Sequence, residues 1–83
     1  MSLEHVTETR WLHPVVHFQA EVRALASHAV DDLGHWTSLD SAYLACAEHG
    51  GQKLQWNRVC SGLWDARGTA HQYQIVLILG HLA

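Results

Sequence analysis

Residues 14–33 constrain the fold more than any other stretch. Pro14 fixes its own φ, which suits the first turn of a helix but not its interior. Behind it Val15, Phe18, Val22, Leu25, Ala26, Ala29 and Leu33 recur at three- and four-residue steps. That spacing gathers apolar side chains on one side of an α-helix. Ala20, Glu21, Arg23, Ala24, Leu25 and Ala26 favour helix, and Gly34 suits the left-handed position past its end. The pattern predicts a helix over about 14–33.

A second helix is expected over about 39–49. Thr37 or Ser38 can cap it, Asp40 complements its positive end, and Gly50-Gly51 stops it. Leu39, Ala42, Tyr43, Cys46 and Ala47 form its inner face. The last third reads two ways. Trp56, Val59, Cys60, Leu63 and Trp64 fit helical spacing, which would give an all-α four-helix domain. Turn chemistry and β-propensity favour a hairpin instead, with strands at about 58–64 and 69–79 and a corner at Asp65–Gly68. Val6–Trp11 reads as an optional strand. The expected fold is therefore α+β, two helices on a small antiparallel sheet, in a single domain spanning 1–83.

With 48% hydrophobic and 16% charged residues the chain has globular composition. Its longest apolar run, Ile75–Leu79, is far short of the roughly 20 residues that cross a bilayer. No basic-then-apolar leader opens it, so a soluble, cytoplasmic protein is expected. Cys46 and Cys60 are too few for a disulfide scaffold or a zinc knuckle and, with mostly apolar neighbours within a turn, read as buried thiols. Charge is uneven. Residues 1–50 set Arg10 and Arg23 against Glu4, Glu8, Glu21, Asp31, Asp32, Asp40 and Glu48, whereas residues 51–83 set Lys53, Arg58 and Arg67 against Asp65 alone. A polyanion would meet the second part and a basic partner the first.

Three constellations carry functional readings. On a helix His13, His17, His28 and His35 share one side, and His13, His17 and Glu21 have the four-residue spacing of a weak zinc or nickel site. The alternative is a solvated or subunit-facing polar side, with no cofactor. Residues 39–58 also read as a support helix, a glycine turn and a short reading helix. Gln52, Lys53, Gln55, Asn57 and Arg58 would then face DNA, with Arg67 on a wing. Trp11, Trp36, Trp56 and Trp64 are expected as core-rim aromatics that also serve an interface. No nucleophile turn, phosphate loop or paired acidic motif speaks for catalysis. The reading from sequence is a non-enzymatic interaction or regulatory module that self-associates or takes a protein partner. A winged-helix DNA binder and a histidine-face metal binder are its alternatives.

Overall fold

The computed structural model describes residues 15–80. The 6–11 strand segment, Trp11 and His13 lie outside them. Five antiparallel strands form one sheet in the order β2-β1-β5-β4-β3, and one helix crosses it. The elements are β1 (Val15–Ala24), β2 (Val30–Trp36), α1 (Leu39–Gly50), β3 (Trp56–Cys60), β4 (Leu63–Arg67) and β5 (His71–Gly80). The chain is mostly β, with one helix among the described residues. The expectation of two helices and that of a four-helix domain are both overturned.

The helix expected over 14–33 is instead the β1–β2 hairpin. Val16, Phe18, Ala20 and Val22 alternate with His17, Gln19, Glu21 and Arg23, so the stretch satisfies the strand period as well as the helical one. What decides between them is a partner. β5, with its Ile-Val-Leu-Ile run, pairs with β1 along all ten residues of each strand, from Val15–Gly80 to Ala24–His71. Between β1 and β2 the chain makes a single helical turn, the His28 amide donating to Ala24 O at 2.8 Å. His28 then takes φ 64° and reverses the chain. Gly34, expected past a helix end, lies inside β2 with φ 100°. There the register slips by one residue and Asp32 Oδ1 accepts the Gly34 amide at 2.8 Å. A bulge of this kind, with Asp31 and Asp32, blunts the outer edge of β2.

α1 occupies the segment read as the second helix. Ser38 caps it in extended conformation, its hydroxyl accepting the Ser41 amide at 3.1 Å. Gly51, at φ 66°, ends it by donating to Ala47 O at 2.8 Å. The strand expected over 58–64 is cut by a two-residue turn at Ser61-Gly62, where Gly62 supplies the positive φ of 83°. Asp65 lies within β4, so the corner expected at Asp65–Gly68 falls later. There the Gly68 amide donates to His71 O at 2.8 Å and the chain turns into β5.

In-register rows on the helix side build the core. Val22, Tyr73, Ala66 and Trp56 stand abreast on four strands, as do Gly34, Ala20, Ile75 and Trp64. Gly34 and Ala20 stand side by side on β2 and β1, leaving room for Ala42 and Cys46 of α1 to bury completely. Phe18 meets Trp64 edge-on at 5.9 Å. The Tyr73 side chain is buried, yet its hydroxyl reaches the end of α1 and shares a 3.0 Å hydrogen bond with His49 Nδ1. Gly50 makes way for it, since a Cβ there would stand 2.6 Å from the Tyr73 oxygen.

Gly50→Ala is therefore expected to cost about 1–3 kcal/mol through overpacking. Adding Tyr73→Phe, which removes the clashing oxygen, should return much of that loss in urea unfolding. Losses that simply add would place the strain elsewhere.

Candidate docking groove

α1 carries two stripes. Leu39, Ala42 and Cys46 face the sheet. Asp40, Tyr43, Leu44 and Ala47 follow the i, i+3, i+4, i+7 spacing along its flank. Together with Lys53, Leu54 and Trp56 the second stripe lines an open, shallow groove of about 310 Å³. Gly51 makes this possible by turning the chain back beside the helix. Gln52 then anchors the returning segment, its Oε1 accepting the Thr69 amide at 3.2 Å and the Thr69 hydroxyl at 3.0 Å.

The Tyr43 and Trp56 rings stack at 4.9 Å and 28° and line the groove. Leu54 is buried beneath it, whereas Leu44 remains 58% exposed. Opposite charges mark the ends, with Asp40 in the first turn of the helix and Lys53 beyond its last. Burial, followed by the Asp40 carboxylate, pushes the Tyr43 hydroxyl above its ordinary range. The lining is apolar with few polar groups, which suits uptake of a side chain.

The residues singled out in the sequence are scattered by the fold. Of the tryptophans, Trp56 lines the groove, while Trp36 and Trp64 pack on the core margin. Trp36 Nε1 donates to Leu33 O at 3.0 Å. No reading helix follows Gly51 among the described residues, because Gln52, Lys53 and Gln55 lie in a connection and Asn57 and Arg58 on β3. The winged-helix reading loses its architecture. Register places Arg58 on the helix side with Trp64, but Arg67 on the opposite side with Gln72. The cations that would meet a phosphate backbone are thus divided between two surfaces.

The histidine face also dissolves. His17 and Glu21 are four residues apart on β1, about 13 Å at the rise of a strand, rather than one helical turn. The His17 ring lies beside His35 instead, at 5.0 Å. Among the described residues no three His, Cys, Asp or Glu side chains converge to hold a metal ion. Leu44, the exposed large apolar residue of the groove, was not singled out in the sequence. Its signal was present: it is the large apolar residue of α1 that falls off the inner stripe.

The expectation of two buried thiols holds for Cys46 and fails for Cys60. Cys46 is buried against the sheet, and burial pushes it up to about 11, whereas Cys60 is exposed at the end of β3. At pH 8 a thiol reagent should label native protein at Cys60 alone and unfolded protein at both positions, as read by mass spectrometry. Burial also raises Tyr73, with Cys46 adding to the effect. In the unfolded chain Cys46 loses its proton near its ordinary 9.0, before the folded chain does, so the folded state binds more protons above that pH. Stability is expected to fall between about pH 9 and 11, and Cys46→Ala should flatten part of that fall in urea midpoints. An unchanged slope would remove Cys46 as its source.

No helix among the described residues is long and apolar enough to cross a membrane. Family models, curated proteins and solved structures yield no match to this chain.

Proposed function

We propose that the chain is a cytoplasmic, non-enzymatic protein-interaction module that works through the groove between α1 and the segment leading into β3. One observation carries this reading: an open apolar depression lined by the stacked rings of Tyr43 and Trp56, with Leu44 exposed beside it. An apolar depression continuous with an exposed aliphatic side chain and rimmed by charges has the anatomy of a protein-contact site, an apolar centre within a polar rim. The aromatic pair supplies rigid contact area at little cost in side-chain freedom. Asp40 and Lys53 at opposite ends add direction, so the favoured occupant is an apolar side chain with a cation on one side and an anion on the other. An exposed free thiol at Cys60 fits a reducing compartment.

Selection from a random linear-peptide library tests this directly. Enriched peptides should carry an aliphatic or aromatic residue between a basic and an acidic one. Their affinity for a Tyr43→Ala variant should fall about tenfold, the scale of one aromatic anchor. Absence of enrichment, or peptides whose binding ignores both Tyr43→Ala and Leu44→Glu, would sink the reading.

A further inference from the structure

We propose that the groove also docks a second copy of the chain, the two related by a two-fold axis with their α1 helices antiparallel. This rests on the reading of the groove as a contact surface and names its partner.

The argument is one of self-complementarity. A two-fold interface must present the same patch from both sides, so that a residue meeting another is met by it in return. The flank of α1 has that form. Asp40 stands at one end of the stripe and Lys53 beside the other, with Tyr43 and Leu44 near its middle. Rotating a copy about an axis through the middle sets each Asp40 against the other copy's Lys53, and brings the two exposed Leu44 side chains together over the aromatic pair. A parallel arrangement would instead oppose Asp40 to Asp40 and Lys53 to Lys53. The helix dipoles favour the same choice, since antiparallel helices set each positive end near the other's negative end. The outer edge of β2, by contrast, is disfavoured for pairing by its bulge and by Asp31 and Asp32.

Sedimentation equilibrium on the full chain and its variants tests the arrangement. Wild type should show a concentration-dependent dimer weakened by salt. Asp40→Lys and Lys53→Asp each turn two attractions into two repulsions, so each alone should weaken the dimer about tenfold. Mixing the two single variants should restore wild-type affinity as a mixed dimer, because each then offers the charges the other lacks. The double reversal, Asp40→Lys with Lys53→Asp, should also restore it. Leu44→Glu should leave a monomer. Both charges and Leu44 are exposed, and circular dichroism will confirm that every variant retains its helix. The two-fold arrangement is overturned if the mixture associates no better than either variant alone, or if single reversals change nothing. Peptide selection on the same groove would survive that result. A wild-type chain that stays monomeric at every concentration would also overturn the dimer, while peptides that ignore the groove would overturn the underlying reading.

Discussion

The pairing of β1 with β5 is the interaction on which the rest of the molecule depends. Each strand is ten residues long, they run together without a bulge, and β5 also carries β4 while β1 carries β2. Their register sets Ala20 against Ile75 and Val22 against Tyr73, which are among the most buried side chains. A slip of one residue would turn Glu21 and Gln74 inward and expose the whole apolar set. The pair also outruns its neighbours. Beyond Phe18 and Leu77 neither β2 nor β4 flanks it, and Val16 and Leu79 stand largely in solvent.

The helix is held by what the sheet leaves unfilled. Ala20 and Gly34, side by side on β1 and β2, make a shallow seat among larger residues, and Ala42 and Cys46 are small enough to settle against it. This close approach explains the fit at the helix end. Tyr73 spans from the core to His49, and Gly50 must lack a side chain for the phenol to pass. The edge-on packing of His71 against His49 at 5.0 Å completes that corner. Just past this end Gly51 reverses the chain, and the returning segment helps to line the groove. The helix end and the groove are thus products of the same turn.

The groove itself follows from the width of the sheet. α1 lies chiefly over β1 and β2 and reaches β5, while β3 forms the opposite edge. A single helix cannot cover five strands spaced about 4.8 Å apart. The uncovered part of the helix-side surface, near β3, is where Trp56 and Leu54 meet the flank of α1. The groove is the geometric remainder of a broad sheet covered, among the described residues, by one helix.

Local chemistry was enough for some of this. Ser38, Asp40 and Gly51 act within a turn of their own positions, so α1 was legible residue by residue. In the last third extended chain was legible, but not the bounds of β3 and β4 or the turn between them. β1 was not. Its residues obey the strand and helix periods together, and its alanines favour helix, so local preference pointed to the wrong element. Only β5, some fifty residues further on, makes the extended form the better one, by supplying ten residues of backbone pairing and a row of matching side chains. The groove is non-local in the same sense. Tyr43 read as an inner-face residue and Trp56 as a rim aromatic, and nothing in their spacing joins them. The sequence alone determined the ends of α1, because its caps are satisfied by near neighbours, but not the turns at His28 and Ser61-Gly62. The tertiary structure decided which period β1 would follow and which side chains would share a surface, because those are settled by partners distant in the chain.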